Sequence, residues 1–331
     1  MKSESKTTPR KRLDTLRRGL MENFVERDEI IPVLLGLVLA KQNVFLLGPP
    51  GTGKSALAEA ICQSFGNGNY FRHLMSRFTK PDELFGPFDI KSFREGKQVV
   101  LPESYMPTAT IVFIDELWKA NSSVLTTLLE ILNEHTFKNG TVRKEVPLRM
   151  AFGASNELPE DTELEALYDR FVARFFIDSI KDRENMKKLM TGKVSGKPVD
   201  IKFTQKEVDD LAEQASKIAI DESMTDTILD IKEALYKEGI TASDRRWKQI
   251  KKTLPYIAFA MGSTAVDDDC LIDVLPDMVW RTPEQRKVAY RIVSEIANPV
   301  GAKAQEIIDA ADQTVKDAMA AGGEQKEDDT M

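Results

Sequence analysis

Short apolar runs recur along the first half of the chain, and helical spacing follows most of them. Val44-Phe45-Leu46-Leu47 precedes a helix-forming run over 56–65, and Tyr70 to Met75 reads as a second strand. Ile111-Val112-Phe113-Ile114 is apolar at every position, the pattern of a strand covered on both faces. It leads to a helix over 122–134, whose Val124, Leu125, Leu128, Leu129 and Leu132 share one face. Residues 150–156 make a fourth strand, and Phe175-Phe176-Ile177 a fifth after the helical run 164–174. Five short strands alternating with helices predict an α/β fold on a doubly wound, parallel five-stranded sheet.

Two hairpins interrupt the alternation. Ile90 to Phe93 and Lys97 to Leu101 flank Arg94-Glu95-Gly96, and Phe137-Lys138-Asn139-Gly140-Thr141-Val142 centres on an Asn-Gly pair. Gly66-Asn67-Gly68-Asn69 marks a turn. Beyond Asp182 the strand signals stop. Thr204 with Glu207 forms a capping box, Ser243 is an N-cap, and Thr282 precedes a Pro at the first helical position. The expected organisation is a basic flexible stretch at 1–19, an α/β core with hairpin insertions at 20–181, an all-helical lid at 182–298, and a helix with a disordered acidic end at 299–331.

At 331 residues the chain exceeds what one core usually holds, which agrees with two domains. With 42% hydrophobic and 30% charged residues it reads as soluble and globular. The run 30–40 falls short of the ~20 apolar residues of a spanning helix and follows Glu26-Arg27-Asp28-Glu29 rather than a basic start, so a buried helix is expected. Cys62 and Cys270 are too few for a zinc site and fit a reducing cytoplasm. A net charge of −7 counts against a constitutive nucleic-acid binder, although Lys2, Lys6, Arg10, Lys11, Arg12, Arg17 and Arg18 make a locally basic start.

The chemistry sits at the strand ends. Gly48-Pro49-Pro50-Gly51-Thr52-Gly53-Lys54-Ser55 lies between the first strand and a helix opening at Ala56, the context a phosphate-binding loop requires. Its small residues let backbone N–H groups face a polyphosphate, with Lys54 reaching the outer phosphates and Ser55 ligating Mg²⁺. Asp115 and Glu116 end the third strand, where a ligand of a parallel sheet lies. Asp115 is placed to hold Mg²⁺, and Glu116 to deprotonate an attacking water. Asn156, at the end of the fourth strand, can set its amide against that water or the γ-phosphate.

In this order the motifs resemble AAA+ ATPases of the MoxR group, most closely the RavA branch, over residues 20–300. Residues 48–55 look like Walker A, and 111–116 like Walker B. Asn156 matches sensor 1, Arg170 in Ala-Leu-Tyr-Asp-Arg-Phe the arginine finger, and Arg245 in Ala-Ser-Asp-Arg-Arg-Trp sensor 2. Arg174, four residues on along the same helical run, competes with Arg170, and Arg246 with Arg245. The resemblance implies a hexameric ring that hydrolyses ATP between subunits and remodels protein clients, often with a von Willebrand factor A partner. RavA-like proteins continue past the lid into a further domain, which the sequence does not reach, so client choice does not carry over. The rival readings are a nucleic-acid motor, contacting through Lys91, Arg94 and Lys97, and a P-loop phosphotransferase. Glu95 and the acidic balance oppose the first, and Glu116, Asn156 and the long helical lid oppose the second.

Overall fold

The computed structural model describes residues 8–314 apart from 66–68, 160, 161, 195, 306, 309, 312 and 313. Residues 66–68 of the turn expected at 66–69, and the end beyond 314, lie outside them. Thr8 opens helix α1 (Pro9–Asn23), its hydroxyl accepting from the Lys11 amide, while Pro9 sits where a helix needs no donor. Leu13, Leu16 and Leu20 are fully buried along it. The basic stretch expected to be flexible is therefore helical from Pro9, and three of its arginines are engaged. The Arg10 guanidinium lies 3.5 Å from the centre of the Phe259 ring, Arg12 pairs with Glu207 at 2.6 Å, and Arg17 donates to the Met261 carbonyl. These partners stand between 195 and 249 residues away in sequence, so a local charge count does not reveal them.

Helix α2 (Ile30–Ala40) is buried from Ile31 to Leu39, as its composition predicts. There follow β1 (Asn43–Leu47), α3 (Lys54–Phe65), β2 (Tyr70–Leu74), the single-turn helices α4 (Pro81–Phe85) and α5 (Ile90–Arg94), β3 (Ile111–Asp115) and α6 (Ser122–Glu134). Then come the antiparallel pair β4 (Thr136–Asn139) and β5 (Val142–Glu145), β6 (Met150–Ser155), α7 (Thr162–Tyr168), β7 (Phe171–Phe176), α8 (Arg183–Met190) and α9 (Gln205–Ser216). The sheet runs β2-β3-β6-β1-β7 with each adjacent pair parallel, so its strands end along one edge. β1 and β6 are buried at every position.

The hairpin expected over 90–101 is instead α5 with an extended return. Asp89 is the cause: its carboxylate accepts from the amides of Lys91 and Ser92 and caps a helical turn. The run 164–174 is likewise not one helix. α7 ends at Tyr168, and Arg174 lies inside β7 beside Phe45. Phe171, Val172, Phe175 and Phe176 suit a pleated strand, which is buried from Phe171 to Phe175, and sheet pairing prevails over helical spacing.

The backbone divides into two compact units, Met1–Ile220 with Ala242–Val266, and Asp221–Thr241 with Asp267–Met331. The cut therefore falls elsewhere than at 182. The second unit holds α10 (Glu222–Lys237), while α11 (Asp244–Met261) belongs to the first with α8 and α9. α11 crosses α2 so closely that a Cβ on Gly36 would stand 2.6 Å from the Ile257 Cα. Helical periodicity predicts that α11 exists but not which helix it touches. In the second unit α10, α12 (Asp268–Val274) and α13 (Pro276–Val279) pack against α14 (Pro283–Ala297), around Ile231, Leu235, Ala289 and Val293. No described helix is long and apolar enough to cross a membrane.

Candidate nucleotide-binding site

Residues 48–55 turn from the end of β1 into α3. The Gly48 amide donates to the Ser155 carbonyl at 3.0 Å, and the Ile177 amide to the Leu47 carbonyl at 2.7 Å, which fixes the start of the loop between β6 and β7. A Cβ on Gly48 would lie 2.1 Å from the Ile177 carbonyl oxygen, so a side chain there is excluded. Gly51 and Gly53 take φ of 80° and 84°, a conformation that lets successive amides converge. Pro49 and Pro50 are exposed, the Thr52 hydroxyl donates to the Pro49 carbonyl at 3.0 Å, and Ser55 and Ala56 are half-buried in the first turn of α3. The amino end of that helix favours an anion.

Lys54 is buried, and its ammonium donates to the carbonyls of Gly48 and, at 3.0 Å, Pro49. Burial pushes its pKa down, while Asp115 and Glu116 pull it back up. Lys54 and the two carboxylates thus share one electrostatic neighbourhood, although β6 separates β3 from β1. Asp115 accepts the Glu116 amide at 3.1 Å. A carboxylate and a serine hydroxyl are the hard oxygen donors that Mg²⁺ takes, so Asp115 and Ser55 fit that ion. Glu116 leaves the strand at a left-handed φ of 50°. Its Oε2 is buried without an aligned hydrogen bond, and the Lys119 ammonium stands 3.2 Å from it. Asn156 is exposed and directly follows Ser155, whose carbonyl holds Gly48.

Beside the loop lies a cavity of about 280 Å³ walled by Phe24, Val25, Ile177, Ile180, Met186, Leu189 and Val194, with Thr52, Gly53 and Lys54 at one side. An apolar slot continuous with a phosphate loop has the character a nucleobase needs. Arg27 also lines it, donating to the carbonyls of Glu26 and Asp178 at 2.7 Å and of Thr52 at 3.5 Å. Burial pushes the Arg27 pKa down, against Glu26 and Asp178. Glu26 in turn accepts the amides of Lys181 at 3.0 Å and Asp182 at 2.9 Å, at the start of α8. Sequence reasoning missed this wall. The available signal was the charged break at 26–29 between two helical runs, used above only against an export segment.

The arginines stand at the other edge of the sheet. Phe171, next to Arg170, pairs with Asn43 at the start of β1. The Asn43 side chain donates to the Leu132 carbonyl, and the neighbouring Asn133 accepts the Arg245 guanidinium. β1 alone separates that edge from the loop by about 13 Å. Arg245, the match to sensor 2, sits with the core and at that far edge, because α11 packs on α2 and β7. Burial and then the charge of Arg245 push the Arg170 pKa down, so the two guanidinium groups are neighbours. Their rivals are engaged elsewhere. Arg174 is buried 3.8 Å from the centre of the Tyr168 ring, and Arg246 is buried against Asp169 at 3.1 Å.

A family model described as the MoxR domain in MoxR-vWA-beta-propeller ternary systems matches residues 11–216, and one described as an AAA lid domain matches 223–293. Two uncharacterized proteins of Methanocaldococcus jannaschii are similar. MJ0812 is 40% identical over 285 residues, covering 86% of this chain and 74% of its own length. MJ0079 is 37% identical over 302 residues, covering 91% and 78%. The structural protein ORF618 of Acidianus two-tailed virus is 28% identical over 197 residues, or 58% of this chain and 28% of its own. A crystal structure from Cytophaga hutchinsonii, described as a candidate ATPase, superposes with a TM-score of 0.68 at 17% identity over 87% of this chain and 94% of its own, a likeness of fold alone.

Proposed function

The chain belongs to the MoxR family of AAA+ ATPases, and from that premise we propose that it hydrolyses ATP to ADP and phosphate at sites shared between copies in a hexameric ring, so as to remodel, assemble or activate protein partners. One observation carries this reading. Lys54, Asp115 and Glu116 meet beside an apolar slot at one edge of the sheet, while Arg170 and Arg245 wait together at the opposite edge.

In this reading the amides of residues 48–55 cradle the phosphates and Lys54 exchanges its loop carbonyls for phosphate oxygens. Ser55 and Asp115 would hold Mg²⁺, which when bound neutralises charge on the phosphates. Asn156 orients the attacking water, and Glu116 accepts its proton. Arg170 and Arg245 of one copy meet the γ-phosphate of the next. Two guanidinium groups held together repel one another, and a phosphate relieves that repulsion.

The matching family model is named for a system with a vWA component, which supports a partner carrying a von Willebrand factor A domain. The narrower RavA placement rests on the motif resemblance. A cytoplasmic setting is supported by two buried thiols, Cys62 and Cys270, each pushed up to about 12 by burial. The nucleic-acid reading is weakened by the engagement of Arg10, Arg12 and Arg17 within the fold and by the Lys97–Glu95 pair at 2.9 Å.

Paired variants test the role assignment. Lys54→Ala weakens ATP binding, whereas Glu116→Gln keeps binding and stops turnover. Equal loss of ATP binding in both would sink it.

A further inference from the structure

Glu116 and Lys119 are joined by the turn Leu117–Lys119, in which the Lys119 amide donates to the Glu116 carbonyl at 2.9 Å. Leu117 and Trp118 are buried and fix this turn, so the Lys119 side chain is its movable part. That side chain is 44% exposed, yet its ammonium stands 3.2 Å from the Oε2 of Glu116. Lys119 also lines a cavity of about 450 Å³ together with Arg77, Asn121 and Glu157. Glu157 therefore shares with Lys119 a space that Glu116 does not line. It directly follows Asn156 on the carboxyl edge of the sheet.

We propose that Lys119 is a positioning residue with two seats, Glu116 and Glu157, and that it restrains the base in the first and frees it in the second. The inference rests on the reading of Glu116 as general base. The ammonium beside Oε2 draws the Glu116 carboxylate toward its own turn, so with Lys119 on Glu116 the base is held back from the water. Moving Lys119 to Glu157 keeps an ion pair while releasing the Glu116 carboxylate. Because Glu157 adjoins Asn156, a shift of Asn156 toward the γ-phosphate displaces the second seat as well. Arrival of nucleotide and release of the base are thereby linked through one short loop.

Steady-state ATP turnover of four variants tests this. Lys119→Met raises kcat about two- to fivefold, the range set by the small energy of a half-exposed pair, and leaves KM unchanged. Glu157→Gln lowers kcat by a similar factor, because Lys119 then stays on Glu116. The double variant Lys119→Met/Glu157→Gln matches Lys119→Met, since without the lysine the second seat is idle. A purely structural lysine would not produce that masking. A Lys119→Met rate at or below wild type, or effects that simply multiply in the double variant, would overturn the switch. Glu157 is exposed, so Glu157→Gln carries the test even if the lysine variant folds poorly: an unchanged kcat rejects the second seat. Glu116→Gln separates the two levels. If it turns over ATP at the wild-type rate, the base assignment fails and takes the switch with it. If it is inactive while Lys119→Met equals wild type, the switch alone fails.

Discussion

Arg246 donates to the Asp169 carboxylate at 3.1 Å and, through its other terminal nitrogen, to the carbonyls of Phe171 at 2.8 Å and Val172 at 3.1 Å. It is therefore a buried staple between α11 and the start of β7, while its neighbour Arg245 is exposed. Truncating the staple leaves buried acceptors unpaired. Arg246→Ala lowers the unfolding free energy by about 3 kcal/mol, read from urea melts. Arg245→Ala stays within about 0.5 kcal/mol of wild type while losing turnover. The reverse pattern would exchange their roles.

Asn139 holds the two insertions together. Its Oδ1 accepts the Val100 amide at 2.8 Å and its Nδ2 donates to the Val100 carbonyl at 2.9 Å, so one side chain pairs like a strand with the return of the first insertion. Asn139→Ala removes both bonds. Hydrogen exchange at the Val100 amide speeds up about five- to tenfold, the scale of one lost hydrogen bond, while amides of β1 are unaffected. Unchanged exchange at Val100 would show that the insertions hold without this clamp.

Glu26 carries a pH dependence. The Lys181 amide chiefly, with the Asp182 amide and Asn185, holds its carboxyl pKa below the ordinary 4.5. A pKa depressed by folding contributes stability above the unfolded value, and this is lost as pH falls through the folded value. Glu26→Gln is accordingly less stable than wild type near neutral pH, and the gap closes on acidification below about pH 4.5. A gap that stays constant through that window would mean the carboxylate charge contributes nothing.

The sheet was legible because each strand carries its own evidence. Val44 to Leu47 and Ile111 to Ile114 are apolar throughout, and Gly48 to Ser55 follow the first with fixed spacing. What escaped depends on partners distant in sequence. The arginines of α1 look solvated until Phe259, Glu207 and Met261 are seen opposite them. Arg174 looks helical until β1 supplies a strand to pair with. The apolar slot joins Phe24 and Val25 to residues 177–194, a juxtaposition no local pattern encodes. Lys119 was passed over because an i,i+3 lysine beside a carboxylate is ordinary on a helix surface; here a left-handed Glu116 turns it back toward the base.

The placement of both arginines at the amino edge of the sheet makes the shared-site reading directly testable. Arg170 and Arg245 lie beyond the length of β1 from the loop they would otherwise serve, so each should act on a neighbouring copy. An arginine delivered between subunits typically contributes ~10³ to 10⁵ in rate, so activity per subunit rises with protein concentration. Mixing sharpens the test. An Arg170→Ala subunit keeps a sound loop, and a Lys54→Ala subunit keeps sound arginines, so a mixed ring contains some interfaces with both intact halves. The two nearly inactive variants recover part of the wild-type rate when combined. Arg245→Ala behaves in the same way when mixed with Lys54→Ala, because it stands beside Arg170. If Arg170→Ala is complemented and Arg245→Ala is not, although both assemble, Arg245 serves its own loop and the edge argument fails for it. If neither is complemented, or if activity per subunit is flat down to monomer concentrations, the site is not shared.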